Sequence, residues 1–155
     1  ELISHGPHDK SGPGSEAIKQ AGLDLIREIR DRYPNMLIVM QNGTGEAVRK
    51  STLKDGRPFA SILDGVSHES VFTQPSAGDS SHFQTDPVVL AEMRAWKAMG
   101  LRPGGRPMML SISEYVNGFG NVAGARRAQQ LGNAEGFTTF VSDKSSGQQQ
   151  VPWNY

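Results

Sequence analysis

Cysteine is absent from the chain. That excludes disulfide staples, thiolate metal sites and cysteine nucleophiles, and it leaves the compartment open. Excess charge of either sign is also missing: 16 Lys and Arg balance 16 Asp and Glu, and the pI lies near 7.2. Phosphate backbones and anionic membrane surfaces are bound by basic patches, and the densest basic cluster here is the pair Arg126–Arg127. Nucleic acid is therefore not an expected partner. Long apolar runs are lacking too. The stretch Met36–Met40 falls far short of the roughly 20 residues that cross a bilayer, so no membrane association is expected. Within the chain no signal-peptide or lipidation motif is visible. The first residue is Glu1 rather than Met, which leaves room for a removed leader or a longer upstream segment.

What is present is the make-up of an ordinary globular domain. At 155 residues and 36% hydrophobic, residues 1–155 are read as one domain with enough apolar material for a core. The first fifteen residues are rich in Gly, Pro, Ser and His and read as a loop. Ser15 suits the N-cap of a helix over 16–32, with Ile18, Leu25, Ile26, Ile29 and Tyr33 as its apolar face. Pro34 ends it. Met36–Met40 is apolar at every position, the pattern of a strand buried on both faces of a parallel sheet, and a short helix is expected over 45–52. A second strand is expected over 61–66. Asp86-Pro87 then opens a helix with an N-cap acid and a proline in the first turn; Val89, Met93 and Trp96 face the core and Gly100 caps the end. A third strand over 107–112 follows. Asn121 caps a helix with a stripe of Val122, Ala125, Ala128 and Leu131, and the last strand covers 136–141. The tail from Lys144 reads as irregular.

Strands alternating with helices imply βαβ crossovers and a parallel sheet. Four such units make either an open sheet or half of a closed barrel. The expected fold class is α/β, parallel β/α units forming part of a (β/α)8 barrel. On its own such a half exposes strand edges, so a partner half-barrel, self-association or a longer polypeptide is expected.

Chemistry is expected at the C-terminal ends of the strands, where parallel barrels and α/β sheets bind ligands. Each expected strand ends in functional side chains: Asn42, then His68 and Glu69, then Glu114 and Tyr115, then Asp143. Two carboxylates on one edge can divide acid and base roles; the bland alternative is that these residues merely cap strands and helices. Other motifs are weaker. Gly43-Thr-Gly-Glu-Ala-Val48 begins like a dinucleotide fingerprint, but Val48 stands where Gly or Ala is needed, and no phosphate-loop Gly-Lys-Ser is present. His5, His8 and Asp9 have metal-ligand chemistry but sit in a Gly/Pro-rich loop and read as solvated. His82 stands alone, and no Gly-x-Ser-x-Gly elbow occurs. No metal and no cofactor is expected.

From Met36 to Val141 the order of motifs resembles the C-terminal half of the endo-α-1,4-polygalactosaminidase-like glycosidases, a TIM-barrel family whose members are sometimes labelled cysteinyl-tRNA-synthetase-related. The matching residues are Gln41-Asn42-Gly43, Asp64-Gly65-Val66 with Glu69-Ser70-Val71-Phe72, Glu114-Tyr115, and Gly136-Phe137 through Val141. The resemblance implies that Glu69 is the catalytic glutamate of the sixth barrel strand, with Asn42 and Tyr115 as sugar-contacting neighbours. His68, Glu114 and Asp143 complete the expected substrate edge; Tyr115, Phe72 and Trp153 could offer rings for stacking, though aromatics in this fold more often belong to the core. The family's other acid, an aspartate ending the fourth strand, falls upstream of Glu1, so the catalytic pair is incomplete within this chain. The implied function is hydrolysis of an α-linked galactosamine- or galactose-type polysaccharide, in an extracellular or cell-envelope setting. The alternatives are a non-catalytic carbohydrate-binding or scaffold protein on the same edge and, less favoured, an open-sheet nucleotide-binding domain.

Overall fold

The order in which the strands lie side by side decides between the two architectures that the sequence allows. A computed structural model describes residues 13–73, 83–100, 106–116 and 121–143. The elements run α1 (Pro13–Arg32), β1 (Val39–Gln41), α2 (Glu46–Arg49), a 3-10 turn (Phe59–Ile62), β2 (Gly65–Glu69), α3 (Pro87–Ala98), β3 (Met109–Val116), α4 (Val122–Glu135) and β4 (Thr138–Asp143). The four strands form one parallel sheet in the order β1-β2-β3-β4. A doubly wound sheet reverses its strand order at a switch point. Here every connection steps one strand in the same direction, which is the arrangement of half a (β/α)8 barrel. Among the described residues no helix is long and apolar enough to cross a membrane.

Side chains alternate across a strand, and the register divides the sheet into two faces. Met40, Val66 and Leu110 lie in one row and are buried in the main core with Leu23, Phe59, Met93, Trp96 and Ile112. Val116, Ala125, Ala128 and Val141 form a smaller core under α4. The opposite face carries Val39, Gln41, Ser67, Glu69, Met109, Ser111, Ser113, Tyr115, Thr138 and Phe140. Its apolar members Val39, Met109 and Phe140 are exposed; in a closed barrel this face is the interior.

Local chemistry explains the helix ends. The Asp86 carboxylate accepts from the Val88 and Val89 amides, and Pro87 follows in the first turn. The Asn121 side chain accepts from the Gly124 amide, and Gly136 closes α4 in the left-handed conformation at φ 76°, where a side chain is costly.

Several expectations shift. Leu25 of α1 and Tyr33 just beyond it are exposed, and Leu23 is buried instead. The Arg30 guanidinium sets that rotation: it pairs with Asp64 and donates to the carbonyls of Ile62, Pro34 and Met36. Met36 and Leu37 are exposed, and the first strand begins only at Val39. It is not buried on both faces: Met40 packs into the core while Val39 and Gln41 are exposed. The second strand is displaced from 61–66 to Gly65–Glu69, since Phe59–Ile62 packs into the core as a 3-10 turn. β3 and β4 also run further than expected, to Val116 and Asp143, held by the parallel ladder between them. Of the expected fifteen-residue terminal loop, residues 13–15 belong to α1 instead, so Ser15 is not its N-cap; residues 1–12 and those from Lys144 on lie outside the described residues, as do His5, His8, Asp9, His82 and Trp153.

Candidate functional site at the C-terminal edge of the sheet

The chain leaves β1 and β2 at the same edge and in the same way. Asn42 and Ser70, the residues just after these strands, adopt positive φ, 59° and 56°. For residues other than glycine this left-handed region costs of order 1 kcal/mol or more and recurs at functional sites. Each residue still completes the ladder: the Asn42 amide donates to the Ser67 carbonyl and the Ser70 amide to the Ser113 carbonyl, both at 2.9 Å.

Glu69, the last residue of β2, stands between these turns on the open face. Its backbone amide donates to the Asn42 side-chain oxygen at 3.0 Å. Its carboxylate accepts from the Gln41 side-chain amide at 2.8 Å and from the Tyr115 hydroxyl. Gln41, Glu69 and Tyr115 therefore form a chain of hydrogen bonds across three neighbouring strands. Tyr115 is largely buried. Burial first, then the Glu69 charge and hydrogen bond, push its phenol up to about 12, so at neutral pH it keeps its proton and donates a hydrogen bond to the carboxylate.

Glu114, expected on the substrate edge with Glu69, is placed otherwise. It lies one residue beyond Ser113, the partner of Glu69 in the register, so its side chain points to the helix side, where it is fully buried. Its oxygens accept from the amides of Val71 (2.9 Å), Phe72 (3.1 and 3.2 Å) and Thr73 (2.9 Å) and from the Thr73 hydroxyl (2.6 Å). No surface of Glu114 is left for a ligand. Desolvation raises its pKa, against the lowering effect of the Thr73 hydroxyl and the three amides.

The remaining expectations divide. Asn42 is at the site and exposed. His68 shares a row with the buried Ile112, facing away from the carboxylate of Glu69, with its Nδ1 2.7 Å from the Glu69 carbonyl oxygen; it does not join the cluster. Phe72 is buried and presents no ring for stacking. Asp143 ends β4 opposite Val116, and its side chain lies outside the described residues. Two functional positions escape sequence reasoning. Gln41 is one strand residue before the Asn42 turn, and only the register shows that it shares the face of Glu69. Thr73 carries no sequence signal at all. Among the described residues no three His, Asp or Glu side chains converge to hold a metal ion.

Fold and site together define a parallel β/α half-barrel with an acidic, hydrogen-bonded centre at the C-terminal edge of the sheet. The chain matches no family model, no curated protein and no solved structure.

Proposed function

We propose that this chain forms part of a glycoside hydrolase that cleaves an α-linked galactosamine- or galactose-type polysaccharide by carboxylate acid/base catalysis. The observation that supports the reading is Glu69 itself, a carboxylate on the open face at the C-terminal edge of a parallel strand, held by Gln41 and Tyr115. Glycoside hydrolysis needs a second carboxylate: about 5–5.5 Å away it gives retention of configuration, about 6.5–9.5 Å away inversion. The proposal takes that acid from a β/α unit preceding this one, either in the same polypeptide or in a partner half-barrel. It also takes the polysaccharide as partner and an extracellular or cell-envelope location. In the full-length protein, Glu69→Gln is expected to lower cleavage of an α-1,4-linked galactosamine oligosaccharide by roughly 10²–10⁴-fold. Unchanged turnover sinks the reading.

A second reading is a non-catalytic carbohydrate-binding protein on the same edge. It is favoured by the finding that, among the described residues, Glu69 is the one carboxylate on the open face of the sheet. A wild-type protein that binds the oligosaccharide and never cleaves it establishes this reading over the first.

A further inference from the structure

A buried carboxylate that takes no part in binding sits directly behind the site. Glu114 is fully buried and collects three consecutive backbone amides, those of Val71, Phe72 and Thr73. These are the three residues that follow the left-handed turn at Ser70. Successive amides converge on one anion only when the chain is bent around it, so the carboxylate and the turn require each other. The hydroxyl of Thr73 extends the arrangement in the other direction: it donates to Glu114 at 2.6 Å and accepts from the Tyr115 amide at 2.9 Å. Glu114 and Tyr115 are adjacent in β3 and point to opposite faces. Glu69 and Ser70–Thr73 are continuous with β2. The buried cluster thus joins, behind the sheet, the two segments whose side chains meet in front of it as Glu69 and Tyr115.

We propose that Glu114, acting through Thr73, is a positioning residue that sets the contact between Glu69 and Tyr115. The proposal rests on the reading of Glu69 as the functional carboxylate only for what the positioned pair does; the positioning itself belongs to the free protein. A carboxylate left buried without donors is heavily penalised, and four donor groups converge on this one, so the loop cannot leave without exposing or stranding a charge. The phenol of Tyr115 registers the contact, because burial and Glu69 hold it up at about 12.

The deciding experiment follows tyrosinate absorbance against pH in the free protein, with no sugar present, and identifies the Tyr115 step by its loss in Tyr115→Phe. The charge of Glu114 is itself one cause of the high Tyr115 value, so Glu114→Gln alone does not separate positioning from simple repulsion. Thr73 does, because its variants keep that charge. Thr73→Val removes the hydroxyl that links Glu114 to Tyr115 and is expected to weaken proton affinity at Tyr115 by roughly tenfold, a midpoint about one pH unit lower. Thr73→Ser restores the hydroxyl and is expected to titrate with the wild type. Amide exchange at Val71, Phe72 and Thr73 is expected to quicken in Glu114→Gln and Thr73→Val relative to Ile112 in the core. A Val variant that titrates with the wild type, or a Ser variant that titrates with Val, overturns the proposal. Neither result depends on whether the protein hydrolyses sugar; failure of that activity shows only in the oligosaccharide assay.

Discussion

Gln41 and Glu69 meet across neighbouring strands, the side-chain amide of the first donating to the carboxylate of the second at 2.8 Å. The two residues are 28 apart in sequence, and both close their strands on the face that the helices leave open. Together with Tyr115 they make Glu69 a carboxylate with fixed hydrogen-bond donors rather than a mobile surface acid.

Replacing Gln41 by Leu removes one of those donors and keeps the side-chain bulk. Gln41 is exposed, so stability should change by no more than about 0.5 kcal/mol. A hydrogen bond to a charged group is worth about 1.5–3 kcal/mol, so, on the proposed hydrolase reading, kcat/KM should fall by roughly 10–100-fold. Chemical denaturation and steady-state kinetics on the same preparation check both halves. Equal kinetics in the variant and wild type would remove Gln41 from the site.

Tyr115 should ionise late, with a midpoint near 12 against an ordinary value of 10.0. The sign for stability follows directly. The folded state holds the proton more tightly than the unfolded chain, so the contribution is fully present below about pH 10 and is lost as pH rises towards 12. Absorbance titration should resolve this late step, and Glu69→Gln should move it down by removing the charge and its hydrogen bond. A Tyr115 step at the ordinary value, or one indifferent to Glu69, contradicts the contact.

Gly65 begins β2 where β3 comes closest. A Cβ there lies 2.7 Å from the Met109 carbonyl oxygen and 2.9 Å from the Met109 Cβ, atoms that cannot swing away without moving the strand. Gly65→Ala should therefore cost about 1–3 kcal/mol by overpacking. Gly45→Ala is the control, because the nearest atom to its Cβ is the Glu92 carboxylate at 3.5 Å, an ordinary contact. Urea midpoints of the two variants should separate clearly; equal midpoints refute the packing argument.

Trp96 is fully buried, and its indole N–H donates to the Thr44 carbonyl at 2.8 Å. The bond ties α3 to the chain just after β1, near the Asn42 turn. Trp96→Phe leaves a cavity and an unpaired buried carbonyl, and should cost about 2–4 kcal/mol. Thermal unfolding gives the value, and a loss below 1 kcal/mol, in this order-of-magnitude sense, shows that the carbonyl finds another partner.

The order of elements and most of their caps were legible in the residues because they depend on near neighbours. Asp86 with Pro87 and Asn121 three residues before Gly124 act within one helical turn, and both stand as expected; Gly136, expected to open the last strand, instead closes α4, and that strand begins at Thr138. The extent of the strands was less legible. Apolar runs read as strands, yet Met36 and Leu37 lie exposed before β1 and Phe59–Ile62 turns in a 3-10 helix. Strand length is set by the partner across the ladder, which composition does not reveal.

By itself the sequence determined a chain of alternating strands and helices, without cysteine or excess charge, whose polar residues gather just after the apolar runs. Only the tertiary structure decided which of two similar glutamates lies on the open face of the sheet. Glu69 and Glu114 both follow apolar strands and both precede residues fit for a site. The register pairs Glu69 with Ser113, so Glu114 falls one step further along. In a strand one step changes the face. That single residue of parity puts Glu69 on the open side beside Gln41 and Tyr115, and buries Glu114 among the amides that shape the turn behind it.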